Sequence, residues 1–275
     1  MMEFNSDVFT LDRDHGVAVL WLDNPDERNA MGPVFWVDLP RAMEVVAGED
    51  DLRAVVIAAR GEAFSVGLNL KTMGPLLMQS GASGSAVQQR RTLYREAKRL
   101  QAAISSVADC PKPVIAAVHG FCLGGGIDLI TACDIRLASV DAVFSVRETK
   151  MALTADSGTL QRLPRVIPAG HAAELIYTGK DITAERAREI GLVNDVFPDA
   201  SAVLEAALAM AKEIAANSPL AVQGSKAVMR AGEGRTVQEA LDYVALWNSA
   251  FLQSDDLTEA VTAFLEKRPP KFTGQ

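Results

Sequence analysis

A chain of 275 residues, 49% of them hydrophobic, holds enough apolar material for one large packed domain or a core with an appended subdomain. Its net charge of −8 argues against a general nucleic-acid surface, and no stretch approaches the roughly 20 continuous apolar residues of a membrane span. Cys110, Cys122 and Cys133 form no CxxC pair and His15, His119 and His171 are far apart, so neither a disulfide framework nor a metal site is indicated.

The opening "MMEFNSDVFTLDRDHG" reads as neither a signal peptide nor an Arg-rich transit peptide, and the final "TGQ" is not a peroxisomal tripeptide. The expectation is a cytoplasmic protein. Buried strands are expected at 17–23 (VAVLWLD), 53–59 (RAVVIAA), 112–120 (KPVIAAVHG), 134–139 (DIRLAS) and 142–146 (AVFSV). Helical patterns lie between the first three. One at 33–47 should be kinked or broken by Pro40; another at 86–108 repeats Leu93, Ala97, Leu100, Ile104 and Val107 at helical spacing. Strands alternating with helices indicate α/β architecture. Residues 73–87 read as a mobile loop beside a site or as a plain surface connection.

Beyond about residue 170 the β signal fades. Helices are expected from Thr183 as N-cap to Gly191, then at 201–216, 219–231, 236–252 and 255–267. Leu241, Val244, Leu246, Trp247 and Phe251 give this region apolar faces that pack either on its own core or on another subunit. Arg90, Arg91, Arg95, Lys98 and Arg99 form a basic run that reads as a solvated or intersubunit face.

Two glycine-bearing turns follow strands, at 61–71 (GEAFSVGLNLK) and 120–129 (GFCLGGGIDL). Neither has the spacing of a phosphate loop. Gly124, Gly125 and Gly126 before an apolar helix either permit close helix–strand packing or expose N–H groups at the positive helix end, as an oxyanion hole requires. Three carboxylates stand near these turns: Asp128, Glu148, and Asp156 within "ALTADSGTLQRLP". Each alone reads as a helix cap or a surface charge.

Together, "AFSVGLNLK", "HGFCLGGGIDLITACDIRLAS", "GLVNDV" and "NSPLAVQGSKAVM" resemble the crotonase family, also called the enoyl-CoA hydratase/isomerase superfamily, over nearly the whole chain. The resemblance implies an α/β fold with a ββα spiral core, here residues 1–200. It also implies an α-helical C-terminal region, here 201–275, that builds homotrimers and often homohexamers. The implied partner is an acyl-CoA thioester whose carbonyl oxygen lies between the backbone N–H groups of Leu68 and Gly125. Coenzyme A is then part of the substrate, with no separate cofactor, and neither nucleic acid nor membrane is a partner. The matching motif positions make Ala30, Ser65, Val66, Gly67, Asn69, Leu70 and Gly126 substrate-binding. Arg28 and Lys71 fall near the nucleotide end, and Phe264 and Lys267 match a motif that reaches a neighbouring subunit's coenzyme A; helix-end cations of this kind also serve simply as solvated partners of the dipole.

The phrase "ITACDIRLAS…FSVRE…LTADSGTLQRLP" further resembles the dienoyl-CoA isomerases, whose three catalytic acids match Asp128, Glu148 and Asp156. Ordinary hydratases are similar at the first two positions and usually carry glycine at the third. The resemblance implies that Glu148 takes a proton from C2 of a 3,5-dienoyl-CoA, Asp156 protonates C6, and Asp128 orients or tunes Glu148. An apolar pocket is expected to keep Asp156 protonated. Asn69 stands where the family usually has Asp, and Lys150 replaces an apolar residue, lowering the Glu148 pKa unless it points to solvent. The competing readings are a 2-enoyl-CoA hydratase with Asp156 a spectator, and a non-catalytic crotonase-fold binding protein.

Overall fold

The computed structural model describes residues 4–79 and 85–275. Its main sheet is built from β1 (Phe9–Asp14), β2 (Val17–Leu22), β3 (Ala54–Ala59), β4 (Val114–Val118), and later strands β6 and β9. Between β2 and β3 runs α1 (Pro33–Gly48), and between β3 and β4 run α2 (Leu70–Gln79) and α3 (Ala86–Asp109). After β4 come β5 (Phe121–Leu123), α4 (Gly125–Ala132), β6 (Ile135–Ser139), β7 (Val143–Ser145), α5 (Thr159–Val166) and α6 (Ala169–Thr178). The chain continues through β8 (Ile182–Thr183), α7 (Ala184–Glu189) and β9 (Asp195–Phe197). It ends in α8 (Ala200–Ala215), α9 (Pro219–Ala231), α10 (Val237–Phe251) and α11 (Asp255–Glu266).

The six-stranded sheet has the order β1-β2-β3-β4-β6-β9, parallel throughout except for the β1–β2 hairpin. A second sheet, β5-β7-β8, pairs β5 with β7 in parallel. β3 reads as an unbroken apolar run because both its faces are covered. Val55, Ile57 and Ala59 enter the core beneath α1 and α3, whereas Ala54, Val56 and Ala58 face α8. There Val203, Ala207, Ala211 and Ala215, one per helical turn, lay α8 flat on the sheet.

Three expectations are corrected. Pro40 does not break α1: it costs one backbone hydrogen bond, while Trp36, Leu39, Ala42 and Met43 around it are buried in the core and hold the helix together. The β signal does not end near 170, since β8 and β9 complete the two sheets; at two and three residues they are too short to show a period. The stretch expected as a loop at 73–87 is helical through Gln79 and again from Ala86, and residues 80–84 lie outside the described residues. The three cysteines are buried, as core packing requires. In the C-terminal region, Leu241, Leu246 and Phe251 of α10 are exposed, whereas Val244 and Trp247 of the same expected face are half-buried, with Trp247 packed on Gly224 of α9.

Candidate active site

The two glycine turns meet. Ser65 N donates to Phe121 O at 2.9 Å and Leu123 N to Ser65 O at 3.0 Å, joining the turn after β3 to β5. On its other side the same turn bridges to Met31: Met31 N donates to Gly67 O at 2.8 Å and Asn69 N to Met31 O at 3.1 Å. Gly67, at φ +82°, lies so close to β5 that a Cβ there would sit 2.6 Å from Leu123 O and 3.0 Å from Gly125 N. Only glycine permits that approach, which draws residue 68 up to the start of α4. Among the described residues neither Leu68 N nor Gly125 N donates a hydrogen bond, so two amides at the junction are free to bind an oxygen.

The carboxylates converge from three elements. Asp128, 3% exposed, lies in the first turn of α4, and its Oδ1 accepts from Thr159 N at 2.6 Å and Thr159 Oγ1 at 2.7 Å. It thus caps α5 from 31 residues away, while Gly158, the residue before the helix, offers no side chain. The cap reading of Asp156 therefore does not hold. Glu148 follows β7 in a short 3-10 helix. Ser145 Oγ donates to Gly179 O, Arg147 Nη2 to Asp181, and Thr149 Oγ1 to Ile176 O, so alternate residues clamp this segment to the last turn of α6 and the chain just after it. Glu148 is left facing the other way. Its Oε1 lies 3.5 Å from where a Gly124 Cβ would stand, and its Oε2 is buried without a hydrogen-bond partner among the described residues.

Burial raises the Asp128 pKa to about 7 against the pull of the Thr159 hydrogen bonds, with the charges of Glu148 and Asp156 adding to the rise. Burial likewise raises Glu148, opposed by its own backbone hydrogen bond and reinforced by Asp156. The three acids therefore share one electrostatic environment. Asp156 itself is exposed, contrary to the apolar pocket expected for it: its turn lies at the protein surface, and desolvation falls on the other two acids. Lys150 is exposed, beside Gly179 and electrostatically coupled to Asp181, and so leaves Glu148 alone.

A cavity of about 640 Å³ is lined by Arg28, Ala30, Val66, Leu68, Asn69, Leu70, Lys71 and Glu148 of the expected residues; Glu148 lines it, whereas Asp128, Asp156 and Gly125 are not among its lining residues. Asp26, Glu27, Phe121, Leu123, Arg147, Met151 and Leu153 complete it. Phe121, Leu123, Arg147 and Leu153 fall within the quoted motif stretches without having been singled out, and the exposed Phe121 and Met151 are recognisable as lining only once the fold is known. Asn69 is buried, and its Oδ1 accepts from Lys71 N at 3.1 Å and Thr72 N at 3.3 Å, capping α2, while its amide nitrogen reaches Glu27. Asn can donate to that glutamate where Asp would repel it. Ser65 is fully buried: its hydroxyl bonds Asn29 O and receives Gly67 N, which makes it a brace of the turn rather than a ligand contact. Gly126 packs on Cys122 and Ser65 beneath the site. Phe264, 83% exposed, and Lys267 lie on or just past α11 and line no part of this cavity. Arg90, Arg91 and Arg95 are exposed, and Arg99 pairs with Glu96, as a solvated face would have it.

Residues 12–275 match the family described as Enoyl-CoA hydratase/isomerase. The chain is 41% identical to the peroxisomal Delta(3,5)-Delta(2,4)-dienoyl-CoA isomerase of Arabidopsis thaliana, over 94% of this chain and 93% of that protein. It is 43% identical to the mitochondrial protein of that name from Homo sapiens, over 91% and 76% respectively. The crystal structure of an enoyl-CoA hydratase from Bacillus anthracis superposes with a TM-score of 0.87 at 31% identity, covering 98% of this chain and all of that one. The expected cytoplasmic location is overturned by relatives that are peroxisomal or mitochondrial. Organelle addresses are read by receptors rather than set by overall composition.

Proposed function

Because this chain belongs to the enoyl-CoA hydratase/isomerase family, we propose that it isomerises 3,5-dienoyl-CoA to 2,4-dienoyl-CoA, as the names of its curated relatives say of them. The observation that carries the reading is the three-acid cluster: Asp128 and Glu148 raised by burial and by shared charge, with Asp156 coupled to both. A hydratase handles one water at C2 and C3, whereas a dienoyl shift needs a base at C2 and a separate acid at C6.

Glu148, with an unpartnered buried oxygen beside the cavity, takes the C2 proton. The charge moves through the conjugated chain to the thioester oxygen, where Leu68 N–H and Gly125 N–H stabilise the dienolate more than the neutral thioester. Asp156 delivers a proton to C6, the double bonds settle at C2 and C4, and solvent exchange restores both acids. Arg28 and Lys71 at the cavity mouth suit the phosphates of coenzyme A, which enters as part of the substrate, and no further cofactor is assigned. The exposed apolar residues of α10, with Phe264 and Leu265 of α11, support a homo-oligomer, trimer or hexamer, in which Phe264 and Lys267 reach a neighbour's site.

A second reading, hydration of 2-enoyl-CoA, is favoured by one observation: the two raised acids are the pair a hydratase uses. Purified protein given 2-enoyl-CoA and 3,5-dienoyl-CoA in parallel separates the two. Hydration without dienoyl isomerisation rejects the isomerase.

A further inference from the structure

Asp156 is exposed, and the one hydrogen bond its carboxylate makes among the described residues comes from the adjacent Ser157 Oγ, 3.2 Å from Oδ1. A side chain held so lightly takes its place from the backbone beneath it. That backbone is tied down on three sides. Gln101 Nε2, from the middle of α3, donates to Asp156 O at 2.8 Å. Thr159, fully buried, donates twice to Asp128 on α4. Arg162 lies across the turn, bonded to Ser105 Oγ at 2.9 Å, and a Cβ on Gly158 would collide with its guanidinium at 1.8 Å.

Resting on the isomerase reading above, we infer that Thr159 and Gln101 are positioning residues for the reaction: they fix the turn that carries Asp156 between α3 and α4 and thereby set the separation of the far acid from Glu148. Neither side chain is placed to touch the acyl chain; each acts through the backbone of the turn. The two tethers differ in kind. Thr159 reaches a titrating acid, so losing its hydroxyl also removes a bond that holds the Asp128 proton affinity down. Gln101 reaches a neutral carbonyl, so its loss moves the turn without that electrical consequence.

The test compares Thr159→Val, Thr159→Ser and Gln101→Leu with wild type on 3,5-dienoyl-CoA, with amide hydrogen exchange at residues 155–159 measured in parallel. Both Thr159→Val and Gln101→Leu are expected to lower kcat roughly 10- to 100-fold with KM within about twofold, as misplacement of a reacting group does. Thr159→Ser restores most of the rate, and Thr159→Val alone shifts the pH–rate profile, because only it removes a bond to an acid coupled to Glu148. Exchange in the turn speeds up in both loss variants. Wild-type kcat and an unmoved pH profile in folded Thr159→Val overturn the inference. Should Thr159→Val fail to fold, Gln101→Leu decides by the same kcat and exchange criteria. If wild-type protein does not isomerise the dienoyl substrate at all, the proposed function fails separately, and unchanged exchange in the turn then rejects the tether on its own.

Discussion

Asp128 and Thr159, on consecutive helices that share no local sequence, are joined at a single oxygen: the amide and the hydroxyl of Thr159 both donate to Asp128 Oδ1. The other carboxylate oxygen, Oδ2, makes no hydrogen bond among the described residues. A buried acid that is coupled to the charges of Glu148 and Asp156 thus also builds the scaffold. The same bond that fixes the turn bearing Asp156 makes that turn's anchor sensitive to pH.

Stability should therefore fall as pH rises between the ordinary aspartate value of 3.8 and about 7. In that window the folded chain keeps a proton on Asp128 that the unfolded chain releases, so the folded state is favoured below the window and loses this contribution above it. The loss is on the order of 4 kcal/mol for the Asp128 titration alone. Asp128→Asn keeps an oxygen for Thr159 and carries no charge. Thermal melts from pH 4 to 8 should show the variant more stable than wild type at pH 8, with the difference closing toward pH 4. Parallel curves would mean that Asp128 is not the titrating group.

Asp156→Gly should abolish most dienoyl isomerisation while leaving the fold intact, because the Gln101 tether reaches the main-chain oxygen, which glycine retains. If Glu148 works at C2 independently, the variant run in deuterated water still exchanges the C2 proton of 3,5-dienoyl-CoA while 2,4-dienoyl-CoA fails to accumulate. A loss of about 100-fold or more is the expected scale for a positioned general acid. Normal turnover by Asp156→Gly removes the far acid from the mechanism.

How much of this could be read from the sequence depended on how local the cause was. The strands β2, β3, β4, β6 and β7 announce themselves as apolar runs because their burial is two-sided or nearly so. β1 (FTLDRD) ends in three consecutive charges at a sheet edge, and β5, β8 and β9 are only two or three residues long, so none carries a readable period. α2 contains Gly74 and Pro75, which locally argue for a loop, yet its Asn69 cap and buried Met73 hold it as a helix. At the site, the glycines and the three acids were legible as residues, but burial is a property of the assembled fold. Asp128 and Glu148 became the desolvated pair and Asp156 the exposed one, the reverse of the apolar pocket expected. Thr159 gave no signal, since a threonine after glycine reads as an ordinary helix start.

Gly67→Ala should cost both activity and stability. A methyl at that position meets Leu123 O at 2.6 Å and Gly125 N at 3.0 Å, and φ +82° is strained for any residue with a side chain. Relief requires the two turns to separate, which parts Leu68 N from Gly125 N. Stability should drop by roughly 1–3 kcal/mol, and kcat by about 100-fold or more, the usual cost of one misplaced oxyanion donor. Denaturant titration and steady-state rates on one preparation measure both. A variant destabilised but fully active per folded molecule would show that these amides do not bind the developing charge.

Lys226→Met supplies the opposite case, a large structural effect away from the chemistry. Lys226 Nζ, almost wholly buried on α9, donates to Asp134 Oδ2 at 2.6 Å and to Lys112 O at 2.9 Å, pinning α9 to the start of β4 and the end of α4. Methionine fills the space but leaves the Asp134 carboxylate with one donor, Val114 N, and Lys112 O without this one. Breaking a fully buried pair costs about 3–5 kcal/mol. Asp134 keeps about a third of its side-chain surface in water, which screens the orphaned charge, so roughly 2–3 kcal/mol is expected here. Because the contact lies outside the cavity, kcat per folded molecule should stay within about twofold of wild type while the denaturation midpoint falls; a variant with an unchanged midpoint would show that α9 is held by its apolar contacts alone.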